Sequence, residues 1–310
     1  MLRTIMLFLV AAISMCCGQA TAQTPADPGT LVQIASFPSH EVAARPVTIW
    51  LPADYDPHKG PYDVLYMHDG QNLFRDRGAY GGKEWGVDEA VTRLGREGRI
   101  RHTIVVGIWN TPKRLREYMP AKVFARLPDD QRQRVEKLYG GTPLSDAYLK
   151  FIVTELKPYI DARYATARGP EHTTIMGSSM GGLISLYALA EYPAVFGAAG
   201  CLSSHWALFL PPDGEMLPET DVEAIGAAFT GYIRETLPPA GTHRIWFDHG
   251  DQTLDRLYAP LQEQVDRAVV ARGWVRGRDW MSKVFPGAAH NEQSWRARLD
   301  QPLGFLLTAR

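Results

Sequence analysis

Thr173-Thr174-Ile175-Met176-Gly177-Ser178-Ser179-Met180-Gly181-Gly182 is the stretch that decides the fold. Its first half is β-branched and apolar, as a short buried strand requires, and residues 183–192 beyond it form an apolar run of helical length. Between them lies the pattern Gly177-x-Ser179-x-Gly181. A serine at so sharp a strand-to-helix reversal is held in a strained backbone conformation. A glycine two positions to either side lets the neighbouring backbones pass with no Cβ between them. The hydroxyl then stands clear of the sheet at a helix N-terminus, where the helix dipole favours developing negative charge. Ser178 has Met176 and Met180 at those flanking positions, so the pattern selects Ser179.

Outward from this stretch the chain alternates strand and helix. Strands are expected at 31–37, 45–51, 64–67, 103–109, 197–202, 244–247 and 280–285. Helices are expected at 87–96, from Ser145 through Ile160, and at 221–235, 257–272 and 294–308. Such alternation predicts an α/β fold, a mostly parallel central sheet with helices on both faces. No internal repeat or linker divides residues 23–310, which are expected to form a single domain. Residues 111–144 form the least regular part. Their polar run at 129–138 has only Val135 and Leu138 as an apolar side, so a solvated surface helix is favoured over a lid beside the active site.

An exposed serine becomes a nucleophile only beside a base that an acid orients. After an elbow of this kind the acid and then the histidine follow in chain order. The last histidine, His290, lies between the final expected strand and the final expected helix, and is the candidate base. The acid lies in Asp248-His249-Gly250-Asp251-Gln252-Thr253-Leu254-Asp255. Asp248 is expected to lie still in the strand or its first turn. Asp255 is favoured over Asp251, although Asp255 also stands where a helix N-cap would. Two N–H donors are needed for an oxyanion. One is Met180, directly after the nucleophile; the other is expected in His68-Asp69-Gly70-Gln71, from Gln71 or alternatively Gly70. Trp85, Trp109, Asn110 and Trp206 are candidates for the pocket wall; a core placement is favoured for Trp85 and Trp109, and is balanced against the pocket for Trp206, which follows a strand end just past the elbow helix.

Composition narrows the remaining classes. There are 33 Lys and Arg against 34 Asp and Glu, for a net charge of −1, with both signs interspersed, so no nucleic-acid surface is expected. No H-E-x-x-H, Cys/His cluster, dinucleotide fingerprint or P-loop is present, and neither metal nor cofactor is expected. Met1-Leu2-Arg3, the apolar run 5–15 and Ala20-Thr21-Ala22 have the form of a signal peptide cleaved after residue 22. The protein is therefore expected to be exported, periplasmic or secreted, without stable membrane insertion. Cys16 and Cys17 would leave with that segment. Cys201, in an apolar run, would remain as a lone core residue with no intrachain disulfide partner.

Several separated segments resemble the esterase family of the α/β-hydrolase superfamily, which includes feruloyl and acetyl-xylan esterases, enterochelin-type siderophore esterases, S-formylglutathione hydrolase and the mycolyltransferase antigens. They are Val64-Leu65-Tyr66-Met67-His68-Asp69-Gly70-Gln71-Asn72-Leu73-Phe74, Val106-Gly107-Ile108-Trp109-Asn110, Glu117-Tyr118-Met119-Pro120, the elbow itself, and Phe285-Pro286-Gly287-Ala288-Ala289-His290-Asn291-Glu292. The resemblance implies Ser179 as nucleophile and His290 as base. In the acid segment the family often has Thr where this chain has Asp251, which keeps Asp251 open. The implied activity is hydrolysis of a small-molecule or carbohydrate-linked ester. Acyl transfer by the same triad, or a non-catalytic carbohydrate- or siderophore-binding role, are the alternatives.

Overall fold

The computed structural model describes residues 29–212 and 215–308; the expected signal peptide, residues 1–22, lies outside them. Eight strands form one sheet: β1 Thr30–Phe37, β2 Arg45–Leu51, β3 Asp63–His68, β4 Thr103–Ile108, β5 Thr173–Ser178, β6 Ala198–Leu202, β7 Arg244–His249 and β8 Trp280–Val284. Their spatial order is β1-β2-β4-β3-β5-β6-β7-β8. β2 runs antiparallel to β1 and β4, and from β4 through β8 every pairing is parallel. This is the mostly parallel sheet expected from the alternation.

Every residue of β3, β4 and β5 is buried, as strands covered on both faces demand. Their side chains alternate between two apolar layers. Val64, Tyr66, Ile104, Val106 and Ile175 enter one layer with residues of α5 Ser145–Phe151, α7 Met180–Glu191, α8 Glu219–Thr236 and α9 Ala259–Ala271. Leu65, Met67, Val105 and Met176 enter the other, with α1 Val87–Arg96, α10 Glu292–Arg298 and α11 Asp300–Leu306. The remaining helices are α2 Arg114–Tyr118, α3 Ala121–Phe124, α4 Asp129–Tyr139 and α6 Lys157–Arg163.

Three helical expectations shift. The elbow helix starts at Met180, directly after the serine. The last helix divides into α10 and α11; Pro302, which has no N–H to donate to the preceding turn, lies in the first turn of α11. In α4 the buried stripe is Gln131, Val135 and Tyr139 at i, i+4 and i+8, whereas Leu138 is exposed. Gln131 donates to Asp221 at 3.0 Å and the Tyr139 hydroxyl to the carbonyl of Leu208 at 2.9 Å. The helix therefore packs through polar side chains that its apolar pattern did not mark. The insert is further tied to the sheet by Arg45 of β2, which makes a two-pronged, buried pair with Glu117 of α2 at 2.9 and 2.7 Å.

Candidate active site

β5 ends at Ser178, and Ser179 takes up φ 59°, ψ −123° before α7 begins. That conformation is costly for a residue with a Cβ and persists only where its surroundings impose it. Here the Ser179 N–H donates to the Leu202 carbonyl at 2.9 Å, and its own carbonyl accepts from His205 N–H at 3.1 Å. The loop after β6 thus clamps the turn on both sides. The glycines of the pattern have a measurable reason: a Cβ on Gly177 would lie 3.0 Å from the backbone of Gly181. Gly70 is equally constrained, since a Cβ there would stand 2.4 Å from the Gly107 carbonyl carbon of β4. That contact seats the turn Gly70–Asn72, and with it Gln71, beside the elbow.

Ser179 opens on a cleft of about 420 Å³ whose wall includes His290, Gln71, Asn110, Arg114 and Glu292. His290 Nδ1 lies 2.6 Å from Asp255 Oδ1. The other oxygen of Asp255 accepts from the Ser203 hydroxyl at 2.7 Å and the Gly250 N–H at 2.6 Å. Burial alone would raise the Asp255 pKa; the hydrogen bond and charge of His290, with Ser203 and Gly250, outweigh it and hold the group below its ordinary value. The imidazole is also fixed by edge-on rings, Trp295 at 5.0 Å and Tyr258 at 5.7 Å. Its backbone N–H donates to Thr253 Oγ1 at 2.8 Å.

Asp251 has a different place. It is exposed and accepts from Gln252 Nε2 at 2.9 Å and Gly287 N–H at 2.8 Å. Asp248, at the end of β7 as expected, is fully buried against Arg298. Met180 is the first residue of α7, directly after Ser179, and Asn110 lies in the cleft wall.

The tryptophan candidates stand away from the cleft wall, as favoured for Trp85 and Trp109. Trp206 is 1% exposed; its indole donates to Gln262 of α9 at 2.8 Å and packs edge-on against Phe229 of α8. The loop after β6 turns inward there, so a residue following a strand end becomes core instead of cleft wall. Trp109 continues the pairing of β4 with β2, its N–H on the Pro46 carbonyl and its indole on Thr48, away from the cleft wall. Trp85 is buried against Trp295.

Sequence reasoning missed Arg114. From the start of α2 it borders the cleft and grips Asp69 with two N–H groups, each at 2.7 Å, while Asn110 Nδ2 donates to the same carboxylate at 2.6 Å. Arg114 stands three residues before the Glu117-Tyr118-Met119-Pro120 segment, and no spacing rule links it to Asp69, 45 positions away. Burial would raise the Asp69 pKa, but the Arg114 charge and its paired N–H groups, with Asn110, hold it below its ordinary value. Burial also lowers the pKa of His68 and His205 to about 3, so both stay neutral, bonded through Nδ1 to the hydroxyls of Tyr148 and Tyr258.

A consequence of the Asp69–Arg114 pair can be checked by unfolding. Arg114→Met leaves a buried carboxylate without its partner, which costs roughly 3 kcal/mol, the low end for such pairs because Arg114 keeps some exposure. Since the folded-state pKa of Asp69 is depressed, the pair's contribution is complete above the ordinary carboxylate value of about 4 and falls away as pH drops through the lower folded value. Urea midpoints of the two proteins should therefore differ at neutral pH and converge in acid. Equal midpoints at neutral pH would overturn this account.

Residues 43–306 match the family described as "Putative esterase". The chain belongs to that esterase family. It is accordingly a carboxylic ester hydrolase with the α/β-hydrolase fold. Among curated relatives it is 25% identical to the uncharacterized protein YbbA of Bacillus subtilis over 268 residues, 83% of this chain and 90% of the relative. Its fold is similar to that of the BES protein from Bacillus cereus (TM-score 0.63, 15% identity, covering 99% and 100% of the two chains). It is also similar to a ferulic acid esterase from the anaerobic fungus Anaeromyces mucronatus (TM-score 0.59, 19% identity, 89% of each chain). This esterase differs from its sequence-based expectation mainly in the cleft wall, where Trp295, Tyr80 and several polar side chains stand in place of Trp109 and Trp206.

Proposed function

We propose that this esterase cleaves its substrate through an acyl-enzyme on Ser179. The observation that carries the reading is the 2.6 Å pair of His290 and Asp255 opening on the cleft that holds Ser179 on its elbow. Ser179 Oγ attacks the ester carbonyl while His290 Nε2 takes its proton. The oxyanion is received by the N–H of Met180 and the N–H of Gln71. Collapse expels the alcohol, which takes its proton from His290, and a water activated by the same base releases the acid.

The cleft wall favours a polar substrate, either a small ester or one linked to a carbohydrate. Asp69, Asn72, Asn110, Arg114 and Glu292 all border it, offering acceptors and donors to hydroxyl groups. The purified enzyme, tested on feruloyl, acetyl-sugar, catecholate-siderophore and simple alkyl esters, is expected to show its highest kcat/KM on a hydroxyl-bearing ester. A preference for long alkyl esters would sink the substrate assignment. Repeating the best case with an added alcohol separates hydrolysis, which yields free acid, from acyl transfer, which yields a new ester.

We also propose export, supported by the basic start, the apolar run at 5–15 and the small residues before Gln23. Protein recovered outside the cytoplasm should have Gln23 as its first residue; recovery of the uncleaved chain in the cytoplasm would contradict this.

A further inference from the structure

We propose that Ser203 is a positioning residue for the acid–base pair, with its hydroxyl proton committed to Asp255 by two donors that fill its lone pairs. The inference rests on the triad reading above and adds a residue outside it. Ser203 follows β6 with φ 41°, a left-handed conformation uncommon for a residue with a side chain, and is fully buried. Its N–H donates to the Asp248 carbonyl at 2.7 Å, fixing the turn.

The argument is one of donor and acceptor count. A hydroxyl has one proton and two lone pairs. Trp295 Nε1 lies 3.0 Å from Ser203 Oγ and Arg298 Nη2 lies 2.7 Å from it. An indole N–H and a guanidinium can only donate. Both lone pairs of Oγ are therefore taken, and the proton goes to Asp255 Oδ2 at 2.7 Å. Asp255 Oδ2 then carries two donors, Ser203 and the Gly250 N–H, which leaves Oδ1 to face His290.

The support extends behind Ser203. Arg298 is buried, and its charge is matched by Asp248 Oδ1 at 2.8 and 3.1 Å; Asp248 Oδ2 accepts from Trp246 Nε1 at 2.7 Å. Trp295 and Arg298 lie three residues apart on α10, hence on one face. The ring of Trp295 meets the ring of His290, while its N–H meets Ser203. One helical face thus sets both the imidazole and the group that orients its acid.

The expected effect follows from charge. Donors on Oδ2 draw negative charge away from the carboxylate. Without the Ser203 hydroxyl, Asp255 stabilises the imidazolium more strongly and His290 holds its proton to higher pH. The other groups facing His290 are Tyr258 and neutral His205 on one side and Asp69, Arg114 and Glu292 around the cleft, and all are common to wild type and variant.

The test is the pH profile of Ser203→Ala and Ser203→Gly. In both, the acid limb of kcat/KM should move up by about one pH unit. Turnover should fall roughly 10- to 100-fold, the usual range for loss of an outer hydrogen-bonding partner, with KM little changed. Glycine relieves the φ 41° strain and alanine does not, so agreement between them assigns the effect to the hydroxyl. A merely structural role lowers the active fraction and leaves the limb in place, and that result would overturn the proposal. Should both variants fail to fold, Trp295→Phe keeps the ring on His290 and frees one lone pair of Ser203. It should shift the limb in the same direction by less, and an unmoved limb again rejects the inference. Ser179→Ala, assayed alongside, tells failure of the triad from failure of this support.

Discussion

Ser179→Ala is expected to lower turnover of a short p-nitrophenyl ester by at least about 10⁴-fold, with the fold and its unfolding midpoint nearly unchanged. The size follows from the unit character of the triad: without the nucleophile, base and acid have nothing to activate, and the remaining rate comes from binding and the oxyanion donors alone. The stability expectation is separate. The strain at φ 59° is set by having a Cβ, which alanine keeps, and the bonds that clamp the turn are backbone bonds to Leu202 and His205. KM should change little, because the cleft wall is untouched. A variant that turns over at the wild-type rate would remove Ser179 from the reaction. Loss of activity with loss of fold would overturn the claim that the clamp is independent of the hydroxyl.

The fold was legible because its signals are local. The centres of β3 and β4, Val64–Met67 and Ile104–Val106, are continuous apolar runs, the mark that a strand buried on both faces leaves in a parallel sheet, and β5 carries Ile175 and Met176 between small residues. The elbow was legible for the same reason: Gly177 and Gly181 are set by backbone contact within five residues. The place of His290 in the cleft wall could be read from its position between the last strand and last helix. The residues that were missed act over long separations. Arg114 meets Asp69 and Ser203 meets Asp255 across 45 and 52 positions, and nothing in the local pattern of either partner points to the other. Trp206 misled for a related reason. Its place after a strand end was correct, but the inward course of the loop depends on Gln262 and Phe229, which lie far along the chain. In α4 the error was one of residue class: Gln131 is buried with its NH₂ group donating to Asp221, so polarity did not mean exposure.

Asp255→Asn is expected to lower kcat by about 10⁴-fold, whereas Asp251→Asn should stay within a few-fold of wild type. The asymmetry comes from what each carboxylate meets. Asp251 is exposed and accepts two hydrogen bonds on one oxygen, from Gln252 and Gly287, which the oxygen of asparagine can still accept. At 255 the amide must choose an orientation. The Oδ2 position faces the Gly250 N–H and the Ser203 hydroxyl, and neither can accept there, because Ser203 has both lone pairs occupied by Trp295 and Arg298. The amide oxygen is therefore driven to that side and the NH₂ group turns to His290 Nδ1. Nδ1 must then accept, so the neutral imidazole carries its proton on Nε2, the nitrogen that has to take the proton of Ser179. The variant would keep its geometry and hold the wrong tautomer. A cation at His290 would also lose the carboxylate that stabilises it. The decisive measurement is kcat for both variants on the same ester, with folding checked by unfolding midpoint. Full activity in Asp255→Asn with loss in Asp251→Asn would reverse the assignment of the acid.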